Sequence, residues 1–315
     1  MIGSIVYCLS SDSSNSRFVN YLHLSVRSLR HWHPEARVYL LVDQVTRERL
    51  EDGLVSEMDR LNVQVVVADC PHQDVRYRSR FLKTQMPELV ALKGETLYLD
   101  LDTIILGRLD DLTLEGCPVS IADEVTGMRS LPERPHIPLW LVEYYARLGW
   151  DYHGDRYFNS GVMLFDDSKG ACEFFKRWHQ LWKEQVCAFD SHIDQPSLAM
   201  AVQETGITVG RLSHRFNAMV TPRPELARES LIVHYWTVDC VTRHGYDRLA
   251  SRAAAGKSID FDALARRHHQ GNLDPDWWWT VQRRLASIKK GMSRLPHPIV
   301  RDVVLRLREK LGGKR

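Results

Sequence analysis

Two aspartates one residue apart, Asp100 and Asp102, close the run Thr96-Leu97-Tyr98-Leu99-Asp100-Leu101-Asp102-Thr103. On a strand, side chains i and i+2 point the same way, so the pair can converge on one hard divalent cation while Leu101 faces the core. A cation held there can in turn hold a diphosphate. The pattern D-x-D occurs three times in the chain, against about two expected by chance from its 24 aspartates, so context decides among them. Asp260-Phe261-Asp262 and Asp274-Pro275-Asp276 sit in polar or proline-broken surroundings that suit a helix cap and a loop. Only Asp100 and Asp102 close a buried strand, read over Thr96 to Asp100.

The elements that must carry this pair alternate. Apolar runs at Ser4–Leu9, Val38–Val42 and Val63–Val67 are separated by helical spacing over Phe18–His31 and Arg47–Arg60, the rhythm of a parallel sheet. A helix over Arg78–Val90 precedes the aspartate strand, and Val119–Ala122 follows it as the next strand. The expected fold is α/β, an open and mainly parallel sheet flanked by helices. Ligands of such sheets bind at the carboxyl ends of strands, where Ser10, Asp12, Asp43, Asp100 and Asp102 all fall. Farther on, Met128–Ile137 reads as a mobile loop rich in Pro, Arg and Glu, and Leu139–Leu148 as a helix. Tyr157–Asp166 joins a small polar turn to a buried strand, Gly170–Gln185 is helical, Asp190–Ser197 opens a helix over Leu198–Gln203, and Leu231–Trp236 is a strand carrying His234.

Composition limits the classes of function. With 315 residues and 44% hydrophobic content the chain can bury one large core. No leader-like start and no long apolar run is present, which predicts a cytoplasmic protein that does not span a membrane. The six cysteines, at 8, 70, 117, 172, 187 and 240, form no C-x-x-C pair and read as buried free thiols. The net charge of +2 hides an uneven distribution: Val281–Arg315 holds 11 Lys/Arg against 2 Asp/Glu, the rest 31 against 38. Apolar residues at helical spacing make 276–315 a basic amphipathic tail, after a domain covering 1–275. With Trp277, Trp278 and Trp279 ahead of it, the tail suits peripheral attachment to the anionic inner face of a membrane, or packing on the body. No recognition motif accompanies the charge, so nucleic acid is not an expected partner. There is also no G-x-G-x-x-G and no G-x-x-x-x-G-K-[ST], which removes the usual phosphate cradles of dinucleotide and P-loop enzymes.

Four ordered elements now stand together: the aspartates after Tyr98-Leu99, Phe158-Asn159-Ser160-Gly161 with its apolar strand, Asp194-Gln195-Pro196 opening a helix, and Ile232-Val233-His234-Tyr235-Trp236. In combination they resemble the GT-A glycosyltransferases of family 8, the group of glycogenin and the bacterial lipopolysaccharide galactosyltransferases, over roughly residues 1 to 240. The resemblance implies that Asp100, Asp102 and His234 hold Mn²⁺ or Mg²⁺ on the diphosphate of a nucleotide sugar. It places Lys83, Asp100, Leu101, Asn159, Ser160 and Gly161 at the donor, with Arg80 as the alternative to Lys83 one turn away, and a position at a strand end adds Ser10 and Asp12 to the donor candidates. Asp194 and Gln195 would act at the sugar's anomeric carbon. The implied activity is retaining transfer of a hexose, by family habit from a uridine diphosphate sugar, to a hydroxyl of a carbohydrate or glycolipid. One departure stands out: family members follow the metal-binding histidine with a lysine for the diphosphate, whereas Tyr235–Cys240 contains none. Arg243 or His244 are the nearest substitutes. A nucleotide-sugar-forming nucleotidyltransferase would share the sheet but show a Gly-rich basic loop after the first strand, and Leu9–Ser16 has neither glycine nor lysine. The other alternative is a scaffold that binds the nucleotide sugar without turning it over.

Overall fold

The computed structural model describes residues 2–13, 16–50, 52–124, 130–131, 134–220, 224–235 and 241–271. The tail over 276–315, with Trp277–Trp279, and the rival pair Asp274 and Asp276 lie outside the described residues. Strands β1 (Ser4–Leu9), β2 (Val38–Asp43) and β3 (Val63–Ala68) alternate with helices α1 (Arg17–Trp32), α2 (Gln44–Arg49) and α3 (Asp52–Arg60). Helix α4 (Val75–Leu89) leads to β4 (Thr96–Leu99), β5 (Thr103–Ile105) and β6 (Val119–Asp123). Next come β7 (Ser130–Leu131), β8 (Arg134–Pro138), α5 (Leu139–Leu148), β9 (Phe158–Phe165), α6 (Lys169–Phe189) and α7 (Gln195–Thr205). The described chain continues with β10 (Val209–Arg211), β11 (Ala218–Met219), β12 (Ile232–His234), α8 (Val241–Ala254) and α9 (Phe261–His269).

Seven strands form one sheet in the order β10-β6-β9-β4-β1-β2-β3. All its pairings are parallel except those of β9, which runs antiparallel to both β4 and β6. Alternation along β1 shows why both faces need helices: Ile5, Tyr7 and Leu9 enter one apolar core and Val6 and Cys8 the other. A smaller sheet, β11-β12-β5, stands beside the large one. No helix among the described residues is long and apolar enough to cross a membrane.

Several expectations need correction. The helix read over Arg47–Arg60 is two helices, because Leu50 is extended (ψ 131°) and Asp43 caps a separate first turn through Thr46 N–H. The segment expected as a loop over 128–137 carries the β7–β8 ladder, apart from the large sheet. Of the five described cysteines, all free, only Cys8 is buried; Cys172 and Cys187 lie on the solvent side of α6. Asp260 caps α9 through Ala263 N–H, as a helix-cap reading of its D-x-D requires.

Two buried histidines tie the fold to pH. Burial pushes His268 on α9 down to about 4, and its ring is fully used as a neutral group: Nδ1–H donates to Leu264 O (2.8 Å) and Nε2 accepts from Tyr235 Oη (2.6 Å). Burial likewise pushes His179 down to about 4. The unfolded chain takes up these protons near 6.5 and the folded chain resists until about 4, so stability should fall as pH drops through that window. His268 alone should account for roughly 3 kcal/mol at the acid end. Urea unfolding at pH 7 and at pH 4.5 checks this, and His268→Gln should flatten the difference; an unchanged slope in that variant would show that His268 is not the source.

Candidate functional site

The aspartate pair sits where the chain leaves the large sheet. Strand β4 ends at Leu99, Asp100 to Asp102 form a turn, and Thr103 begins β5 in the smaller sheet. The expectation of two carboxylates on one strand face is therefore corrected: the turn, not strand alternation, brings them together. The cause is the pairing of β5 with β12, which pulls the chain out of line with β4. Asp100 N–H donates to Gly161 O (2.7 Å), and Thr103 Oγ1 donates to Asp100 O (2.8 Å), closing the turn. His234 lies opposite Thr103 in the β12–β5 register, and Tyr235 N–H donates to Asp102 O (2.9 Å).

The donor atoms of Asp100, Asp102 and His234 all lie within 4.8 Å of one another. His234 Nε2 stands 3.3 Å from Asp102 Oδ1 and 3.9 Å from Asp100 Oδ2. That nitrogen is buried without a hydrogen-bond partner, and a buried orphan aimed at two carboxylates suits a cation between them. Two carboxylates and one imidazole form a donor set for Mn²⁺, and with more retained water for Mg²⁺. Burial opposes charge on His234, but Asp102 and Asp100 outweigh it and raise its pKa above the usual histidine value. Gly161 supplies the space: a Cβ there would stand 2.1 Å from His234 Cε1.

Beside the cluster, Lys83 on α4 is buried and reaches three groups: Asp100 Oδ1 at 3.2 Å, Asp194 Oδ2 at 3.2 Å and Ser160 Oγ at 3.0 Å. Such a lysine is no solvated helix residue. Arg80, one turn earlier, meets the other oxygen of Asp194 at 3.3 Å, so both candidates from this helix belong to the site. Asp194 occupies the N-cap position of α7 yet makes no side-chain cap; its carboxylate also accepts from Ser160 Oγ (2.8 Å). Burial opposes its ionisation, but Lys83, Arg80 and Ser160 prevail and hold its carboxyl well below the usual range. Tyr98 Oη donates to Asp100 Oδ1 (2.5 Å).

Asn159, Ser160 and Gly161 owe their placement to an irregular ladder. Pairing between β6 and β9 jumps from Ile121 with Met163 to Ala122 with Asn159, so β9 bulges over Ser160–Val162. Asn159 Nδ2 donates to Glu124 Oε2 (2.9 Å), and Gln195 Nε2 donates to the same oxygen (2.6 Å) and to Phe158 O (2.9 Å). Sequence reasoning passed over Glu124, although it follows a buried strand at the end where ligands bind. Asn217, also missed, joins Asn159 to His234 and carries no comparable signal.

Asp12 belongs to a second cluster, at the ends of β1 and β2, which the structure does not tie to the Ser10 side chain. Buried Arg78 pairs with Asp12 at 2.5 Å and with Asp43 at 3.0 Å, while Ser11 N–H donates to Thr46 Oγ1 (2.9 Å). Arg78 is the organising cation there, and nothing in the sequence marks it for that place. Ser10 Oγ is buried without a partner. Leu101 is buried, and its carbonyl accepts from Tyr246 Oη (3.0 Å). Residues 236–240 and the side chains of Arg243 and His244 lie outside the described ones, so the substitute for the family's lysine is not placed.

An open, mainly parallel sheet with an Asp-x-Asp turn leaving its middle strand defines the GT-A glycosyltransferase fold, and this chain has it. The likeness found among solved structures is one of fold. The sequence matches no protein-family model and no curated protein. Solved structures do match. The galactosyltransferase LgtC, in complex with donor and acceptor sugar analogs, superposes with a TM-score of 0.52 at 16% identity, over 82% of this chain and 97% of LgtC. The bifunctional glycosyltransferase WbbM in its apo form gives 0.54 at 13% identity, over 85% of this chain and 51% of WbbM. Apo GlyE of Streptococcus pneumoniae TIGR4 gives 0.52 at 16% identity, over 87% of this chain and 64% of GlyE. The chain thus spans nearly all of LgtC, about half of WbbM and somewhat under two thirds of GlyE.

Proposed function

We propose that this protein is a metal-dependent retaining glycosyltransferase that moves a hexose from a nucleoside diphosphate sugar to a hydroxyl of a carbohydrate or glycolipid. The observation that carries the reading is the Asp100–Asp102–His234 cluster with its orphaned Nε2, set directly against the Lys83–Asp194 pair. Mn²⁺ or Mg²⁺ bound there supplies charge stabilisation to the departing nucleoside diphosphate. Lys83 and Arg80 keep Asp194 ionised as an acceptor for sugar hydroxyls. Gln195 has spent both amide hydrogens on Glu124 and Phe158, so what it offers the anomeric carbon is its oxygen. An amide oxygen stabilises positive charge developing there without attacking as a carboxylate would. This favours same-face attack, in which the departing phosphate oxygen takes the acceptor's proton. The uridine donor, and an anionic membrane surface reached through the basic tail, are part of the proposal by family resemblance and charge.

The test is a screen of nucleotide sugars with Mn²⁺, with and without anionic vesicles, read as nucleotide release and by NMR of the product anomer. One hexose donor should turn over with retention, and chelation should stop it. Gln195→Ala should slow the reaction on the order of a hundredfold without changing configuration. Binding with no turnover would identify a scaffold, an inverted product would refute retention, and a competent hexose adduct on Asp194 or Asp190 would replace same-face attack with double displacement.

A further inference from the structure

Around His234 the hydrogen bonds form a chain whose direction is forced at every link. It starts at Gly161, whose backbone N–H can only donate and meets Asn159 Oδ1 at 3.0 Å. That fixes which end of the Asn159 amide is oxygen, and its other end donates to Glu124 Oε2 (2.9 Å), an acceptor when ionised. Asn159 Oδ1 also receives Asn217 Nδ2 (3.0 Å), so Asn217 must turn its own oxygen toward His234 Nδ1, 3.0 Å away. An oxygen there requires a hydrogen on Nδ1. The other neutral tautomer would set two acceptors against each other at that distance. Asn159, Asn217 and His234 are each at most 2% exposed, so water does not substitute for these partners.

We propose that Asn217, oriented by Asn159 and Glu124, is a positioning residue that fixes the Nδ1–H tautomer of His234 and so presents a bare Nε2 lone pair to a divalent cation. The cation half rests on the functional reading above; the tautomer half rests on the hydrogen bonds alone. Outer partners of metal-binding histidines commonly govern ring orientation and ligand basicity, and their loss weakens metal binding about ten- to a hundredfold. The same chain reaches Gln195, which shares Glu124 Oε2 with Asn159. One carboxylate thereby aligns both the cation ligand and the amide at the sugar.

The experiment uses the full chain labelled with ¹⁵N-histidine, metal-free, at a pH where the ring is neutral, with the His234 signals assigned by their loss in His234→Gln. Wild type should show a protonated Nδ1 and a bare Nε2. Asn217→Ala should move the proton toward Nε2, facing Asp102, and lower Mn²⁺ affinity by about ten- to a hundredfold in an EPR titration. Asn217→Asp keeps an acceptor for Nδ1–H and should retain the wild-type tautomer, although it loses the donor to Asn159 Oδ1; if the alanine variant does not fold, the tautomer of the wild type decides the matter. A wild-type Nε2–H tautomer in protein that binds Mn²⁺ overturns the relay alone, as does an unchanged tautomer in folded Asn217→Ala. The Nδ1–H tautomer in protein that binds no Mn²⁺ overturns the functional reading and, with it, the cation half of the proposal.

Discussion

Asp102→Asn should yield a folded protein whose transferase turnover is reduced at least about a hundredfold. The change is nearly isosteric, and the backbone carbonyl of residue 102 still accepts from Tyr235 N–H, so the turn keeps its anchor. What is lost is a full negative charge 3.3 Å from His234 Nε2, in a site where two carboxylates and one imidazole converge. Mn²⁺ titration should show weakened binding alongside the rate loss, while circular dichroism and Tm stay close to wild type. Near-normal turnover in the folded variant would remove Asp102 from the cation site.

Gly161→Ala should be comparably severe for a different reason. The added methyl would stand 2.1 Å from His234 Cε1 and 2.8 Å from both ring nitrogens, distances no real contact tolerates. His234 cannot step aside cheaply, being 1% exposed and tied through Nδ1 to Asn217. Either the ring moves away from Asp100 and Asp102 or β9 shifts against the aspartate turn, which Gly161 O holds through Asp100 N–H. We expect at least about a hundredfold loss of activity, with overpacking costing about 1–3 kcal/mol of stability. Gly170→Ala, with nothing within 4 Å of its added carbon, is the matched control. Unaltered Mn²⁺ affinity in Gly161→Ala would mean that the ring is not where the cation binds.

Much of the sheet was legible because β1, β2, β4, β6 and β9 are mostly apolar runs, as strands covered on both faces require, and their few polar residues fall near strand ends or at the bulge of β9. The aspartate pair was legible as chemistry but not as geometry. Short strands such as β5 and β12 acquire their pairing from tertiary contact, and they bend the chain at Asp100. Helix α8 received no reading, and α9 only its cap at Asp260: α8 has no acidic first turn, and an amphipathic segment does not reveal what it packs on. Asn217 and Arg78 escaped for a related reason. Each works by facing particular side chains brought in from distant positions, and no spacing along the sequence encodes that. Asp194 was the reverse case: its position advertised a helix cap, while Lys83 and Arg80, more than 100 residues earlier, had already claimed the carboxylate.

The seat of the aspartate turn comes from far downstream. Tyr246 on α8 donates to Leu101 O, within the turn itself, and its ring stacks on Tyr235, centroids 4.4 Å apart, while Tyr235 Oη is held by His268 on α9. This imposes an order on synthesis. A chain still emerging from the ribosome past residue 235 carries Asp100, Asp102 and His234 yet lacks the tyrosine that grips the turn between the two aspartates and the histidine that steadies its neighbour. Nascent protein is therefore expected to pass through a stage in which Asp100, Asp102 and His234 are all present while the hold of α8 on the turn between the aspartates is still missing.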